Sequence, residues 1–238
     1  MFSNKTISMY TTIAHHFPNA VTIRQLEDRI IHDFMVKGLD LQSSVWATSL
    51  CSDELSNMFP EFCHLFAGPG PFHFGGISGL PFAGITGLKA FLSHVPTHGS
   101  AMILYGPHFG VSHDGSLGNV YRQNQPAATV CCGSLTFALN SIENEHVLAS
   151  DNPLDYQQTR VIQHLTQFKD EILNAEIPLK RATEFAYESI HKKLHLLLEE
   201  VQDELEGIRL YLVGGIVINT DWNRNDYFET RHQEFYKF

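Results

Sequence analysis

Three thiols and one imidazole stand where folding could bring them together. Cys51 follows the apolar run Ser44-Val45-Trp46-Ala47-Thr48-Ser49, and His108 follows a second run, Ala101-Met102-Ile103-Leu104-Tyr105. Each run reads as a short buried strand, so each residue falls just beyond a strand's carboxyl end, where functional groups collect in open parallel sheets. Cys131 and Cys132 open an apolar segment that begins Gly133-Ser134, and a helix N-terminus at that point favours a thiolate. Two thiolates and an imidazole leave one tetrahedral position open, which is the ligand count of a catalytic zinc site and not of a structural one. The separations along the chain are long, and no Cys-x-x-Cys pair anchors a metal. Spacing alone leaves Cys131 and Cys132 as alternatives for the third ligand. It also leaves the plainer reading that these cysteines are small buried hydrophobes and that His108 caps a turn.

The elements that must position these residues alternate between strand and helix. Over 21–38 the apolar residues Ile23, Leu26, Ile30 and Phe34 recur at helical spacing, with Gly38 as C-cap. Ser52, Asp53 and Glu54 suit the first turn of a helix entered directly after Cys51. Between 68 and 87 the chain places seven of its 17 glycines and three of its ten prolines, a loop that is costly to order unless its backbone must approach something closely. A short helix over 85–94 precedes the strand at 101–105, and turn chemistry fills 112–118. Segments 154–175 and 178–205 read as an antiparallel helix pair broken at Pro178 and ended by Gly207. Residues 210–218 read as a fully buried strand, and the aromatic, charged tail 222–238 reads either as an arm laid on a partner or as a loosely docked tail. The expected architecture is α/β, one domain over 1–238, with a mainly parallel central sheet flanked by helices and the 153–205 helical pair as an integral part.

Composition narrows the function classes. Hydrophobic residues make up 43% and charged residues 18% of 238 positions, ample for a core and no basis for disorder. A net charge of −10 repels phosphate backbones and anionic lipid, so neither nucleic acid nor a membrane surface is expected as partner. No apolar run approaches the roughly 18 residues that span a bilayer, and the first residues lack the basic and apolar regions of a secretory signal, which leads to a cytoplasmic expectation. Four cysteines are too few for a disulfide scaffold in a chain this long. Of the 14 histidines, His32, His164, His191 and His195 fall in charged helical stretches and read as solvated surface residues.

The segments Cys51-Ser52-Asp53-Glu54, Gly75-Gly76-Ile77-Ser78-Gly79-Leu80-Pro81-Phe82-Ala83-Gly84, Gly106-Pro107-His108-Phe109-Gly110-Val111-Ser112, Asp114-Gly115 and Cys132-Gly133-Ser134 together resemble the limiting-CO2-inducible protein B/C family. Its active members are the theta-type carbonic anhydrases. The likeness runs from about Trp46 to Leu139, with a weaker match beyond. It implies a fold similar to beta-type carbonic anhydrases, a homodimer, and Zn2+ held by Cys51, His108 and Cys132, the last chosen over Cys131 because it directly precedes Gly-Ser. The implied activity is reversible hydration of CO2 to bicarbonate, in which zinc makes a bound water nucleophilic at neutral pH. Asp53 resembles the aspartate that orients this water in beta-type enzymes or ligates zinc when the site is closed. The beta-type pattern Cys-x-Asp-x-Arg is broken here by Leu55, so the arginine that holds Asp53 must come from elsewhere, with Arg122 the nearest candidate. Phe74, Gly75, Gly76 and Phe82, together with Phe72, are expected to wall a pocket for a nonpolar substrate, and His73 or His113 to help carry off the proton.

Two rival readings belong to other classes. One is a non-catalytic bicarbonate-binding or assembly protein that keeps the zinc site. The other is a cysteine hydrolase using Cys51 and His108, although no oxyanion or nucleophile motif accompanies them.

Overall fold

The computed structural model describes residues 8–56, 62, 64–66, 68, 70–144 and 152–238. In chain order these form helix α1 (Met9–His16), strand β1 (Val21–Thr22), α2 (Ile23–Val36), β2 (Ser44–Ser49), β3 (Phe72–His73), α3 (Gly84–Leu92), β4 (Ser100–Tyr105) and β5 (His108–Gly110). A small hairpin, β6 (Asn119–Val120) and β7 (Thr129–Val130), is followed by α4 (Gly133–Glu143), α5 (Tyr156–Thr166), α6 (Lys169–Leu173) and α7 (Pro178–Glu200). Strands β8 (Arg209–Asn219) and β9 (Tyr227–Lys237) complete the chain.

The sheet runs β1-β9-β8-β4-β2-β3, with β5 also on β8. Pairings β2 with β3, β2 with β4, β4 with β8 and β5 with β8 are parallel, and those involving β9 are antiparallel. The molecule is therefore α/β with a mostly parallel central sheet. Both faces of the sheet are covered, which is why β4 and β8 read as continuous apolar runs. In β4, Ala101, Ile103 and Tyr105 enter one core with α3 to α7, while Met102 and Leu104 enter a second core with α2, Trp46, Phe62 and Phe66.

Local chemistry explains several boundaries. Thr22 caps α2 in a reciprocal box with Gln25, which satisfies two otherwise orphaned donors. The apolar stripe Ile23, Leu26, Ile30 and Phe34 is buried as its spacing predicts, and Gly38 at φ +63° ends the helix. Pro178 stands at the start of α7, where its missing N–H has no helical partner to lose.

Four expectations change. The tail 222–238 is no arm: β9 pairs antiparallel along almost the whole of β8, with a register shift opposite Gly214/Gly215. It went unread because β9 is buried at one end and largely exposed beyond it, so its sequence lacks the apolar run of β8. The segment 154–175 is not one helix but a short 3-10 turn, α5 and α6. After Cys51 the described residues make only a 3-10 turn, Glu54–Ser56, and the rest of that expected helix lies outside the described residues, as does Cys63. His164, His191 and His195 are not freely solvated: all three are partly buried, the last two where α7 faces β9. Helix α1 carried no expectation, and among the described residues no helix is long and apolar enough to cross a membrane.

Candidate metal centre

Two strands of the parallel sheet and the start of a helix deliver the site. Cys51 leaves β2, His108 opens β5 just past β4, and Cys132 is the N-cap of α4. All three are buried, and one ligand atom from each lies within 4.8 Å of the other two. The two sulfurs are 3.8 Å apart.

Gly106 makes the approach of His108 possible. A Cβ there would sit 1.7 Å from the Gly215 carbonyl oxygen, and its φ of +153° is unsuited to an L side chain. The turn from β4 into β5 therefore presses directly on β8, and His108 pairs in register with Val217.

The orientation of His108 follows from one amide. Asn219 Nδ2 donates to the Leu55 carbonyl at 3.1 Å and to Asp226 Oδ2 at 3.1 Å, so Asn219 Oδ1 is the atom that meets His108 Nδ1, at 2.8 Å. A carbonyl oxygen only accepts, so Nδ1 carries a proton, and in the neutral ring Nε2 then keeps its lone pair. That Nε2 is buried with no hydrogen-bond partner among the described residues. An unsatisfied buried acceptor costs about 1–3 kcal/mol, and a cation held with the two sulfurs removes that cost. The donor set thus fits a metal ion with a preference for nitrogen and sulfur.

The thiols are also prepared. Hydrogen bonding from Cys51, joined by backbone amides of Ser134 and Leu135 at the start of α4, holds the Cys132 thiol below its ordinary value against the effect of burial. Its hydrogen bond to Cys132 and its own burial push Cys51 up. The Ser78 amide also donates to Cys51 Sγ at 3.2 Å. Cys131 lies on the other side of the imidazole, 3.3 Å from Nδ1 and 3.5 Å from Asn219 Oδ1, and is outside the three-residue group.

Asp53 is likewise outside that group. Its Oδ1 accepts from the Leu55 amide at 3.0 Å, and its Oδ2 faces Arg122 Nη2 at 3.4 Å. Arg122 projects from the end of the β6 strand and also binds Glu54, Thr129 and the Val130 carbonyl.

The glycine-rich loop is packed tightly on its neighbours. A Cβ on Gly75 would fall 2.0 Å from the Leu50 carbonyl oxygen, and one on Gly76 would fall 2.2 Å from Gln157 Oε1. Gly75 presses the loop onto the exit of β2 and Gly76 presses it against Gln157 of α5, and the Ser78 amide reaches Cys51 from the same loop. Phe74 packs edge-on against Phe91 and tilted against Phe72, and Phe82 meets Tyr156. His73 Nδ1 lies 3.1 Å from the Thr48 hydroxyl, and His113 Nδ1 lies 2.7 Å from Asp221 Oδ2.

Asn219, Asp226 and Ser78 were not singled out in the sequence. Asn219 had a signal, since it is the first polar residue after the buried run that ends at Ile218 and so stands at a strand end like Cys51 and His108. Asp226 had none.

The family model for limiting CO2-inducible proteins B/C beta carbonic anhydrases matches residues 20–237. The chain belongs to this family. Among solved structures, PtLCIB4, described as a homolog of the limiting CO2-inducible protein LCIB, superposes with a TM-score of 0.89 at 30% identity, covering 96% of this chain and 95% of that one. LCIB itself superposes at 0.69 with 21% identity, covering 93% and 92%, a likeness of fold. No curated protein matches the sequence significantly. Membership makes the chain carbonic-anhydrase-like, with a Cys-His-Cys group able to hold a metal ion.

Proposed function

We propose that the chain is a zinc-dependent carbonic anhydrase interconverting CO2 and bicarbonate, with Cys51, His108 and Cys132 as the metal ligands. The observation that carries this reading is the buried, unpartnered Nε2 of His108 grouped with two thiols, in a chain of a carbonic-anhydrase family. Zinc held by Cys51, His108 and Cys132 would supply a Lewis acid able to lower the pKa of water from 15.7 to about 7.

The chain's own residues do the rest. Asn219 holds His108 as the Nδ1–H tautomer. Asp53, restrained by Arg122 and the Leu55 amide, stays off the metal group and accepts a hydrogen bond from the incoming water, which points the water's lone pair at carbon. Arg122 takes the part of the arginine that Leu55 displaces from the local motif, and holds the Asp53 carboxylate in place. Phe74 and Phe82, set by Gly75 and Gly76, contribute apolar surface on the side of the β2 exit. The chain acts as a homodimer, a reading supported by exposed apolar side chains such as Phe137, Leu154 and Trp222.

Stopped-flow CO2 hydration by the zinc-loaded protein tests this. The expected result is turnover that Asp53→Ala depresses while zinc content holds. Bound zinc without turnover would favour the non-catalytic bicarbonate-binding reading, and thiol-dependent ester hydrolysis without metal would favour a cysteine hydrolase.

A further inference from the structure

We propose a second metal site, made by His191, His232 and Glu234, that takes a first-row transition ion such as Zn2+, Co2+ or Ni2+. One ligand atom from each of the three lies within 4.8 Å of the other two. The site is independent of the Cys-His-Cys centre and of whether that centre is catalytic.

Two simple periodicities build it. His191 and His195 are one turn apart on α7 and so share a face, while His232 and Glu234 are two residues apart on β9 and so share a face of the strand. The two faces meet. His191 and His232 stack with ring centroids 4.1 Å apart, His195 lies edge-on to His191 at 4.4 Å, and His195 Nε2 is 3.3 Å from Glu234 Oε2.

A tyrosine holds each of the two stacked imidazoles by its Nδ1. Tyr105 at the end of β4 bonds His191 Nδ1, and Tyr187 on α7 bonds His232 Nδ1, each at 2.7 Å. An imidazole that donates from Nδ1 to its tyrosine oxygen leaves its Nε2 lone pair for a metal, and tethering a ligand histidine through its other nitrogen is how metal sites set tautomer and direction.

Two imidazoles and a carboxylate without sulfur suit zinc, cobalt or nickel over magnesium or calcium, which take oxygen donors. His232 is exposed, so its ring can tilt out of the stack to make the lone pairs converge, and the ion has a path in from solvent.

Titration of the full-length, metal-free protein with Co2+ tests the proposal, because cobalt reports its ligands by absorption. Two equivalents should bind. One should show thiolate-to-cobalt charge transfer in the near ultraviolet, and the other only weaker visible bands. The double variant His232→Gln with Glu234→Gln should lose the second equivalent and keep the thiolate signal, whereas Cys51→Ser with Cys132→Ser should do the reverse. The single variant His232→Gln, altered only at an exposed side chain, repeats the test should the double variant fail to fold. One equivalent in the wild type, or a second that survives His232→Gln and Glu234→Gln, would overturn the second site and leave the Cys-His-Cys reading untouched.

Discussion

Adjacent cysteines at 131 and 132 do different work because the imidazole stands between them. Cys132 groups with Cys51 and His108, whereas Cys131 bonds the Nδ1 side of the same ring. Cys132→Ser should therefore strip zinc from the purified protein, and Cys131→Ser should retain about one zinc per chain by elemental analysis, since only the first removes a ligand. Loss of metal in Cys131→Ser with retention in Cys132→Ser would invert the assignment. Asp226 carries a second prediction at this scale. Burial, only partly opposed by hydrogen bonds from Thr220 and Asn219, pushes its carboxyl up to about 6. Between roughly pH 4 and 6 the folded chain holds a proton that the unfolded chain has released, so this group's contribution to stability is complete below its unfolded pKa and is lost as pH rises through about 6. Lowering pH from 7.5 to 4.5 should thus stabilise the wild type relative to Asp226→Asn by on the order of 2 kcal/mol in urea unfolding. Parallel pH slopes for the two proteins would refute it.

Strand ends are placed by contacts that admit no side chain. Between β4 and β5 the Gly106 backbone lies against the Gly215 carbonyl of β8, and the obstacle to any Cβ is backbone, which cannot rotate away. Gly106→Ala should cost roughly 3 kcal/mol or more. Because His108 is two residues further on, the same change should weaken zinc binding. Melting with and without added zinc reads both effects, and an unchanged melting temperature with undiminished zinc stabilisation would show that β5 is not held by this contact.

For the whole molecule, oligomeric state and the role of the C-terminal residues separate cleanly. The full-length chain of 26.9 kDa is expected to run at twice that mass in light scattering, and a monomer would defeat the dimer. Deleting residues 222–238 should not yield a folded monomer. It removes β9 and exposes the long, apolar edge of β8, so the truncated chain should aggregate or lose its cooperative melt. A soluble, cooperatively melting truncation would mean that β9 is dispensable to the sheet.

The residues with metal chemistry were legible in the sequence because each follows or precedes an apolar run whose length and composition identify an element: Cys51 after β2, His108 after β4, Cys132 before α4. The alternation of those runs with helical periodicity also determined the α/β class and the burial of β8, since a strand covered on both faces must be apolar at nearly every position. Family resemblance, not spacing, chose between the two adjacent cysteines. Only the tertiary structure could put Arg122 against Asp53, or place Asn219 and Asp226 behind His108, because these partners are joined by contacts across separate elements and a polar side chain carries no mark of which distant group it will meet. The same holds for β9 and the histidine cluster. A half-exposed strand and a partly buried helix face need no apolar signature, so their residues look like surface until the fold lays one on the other.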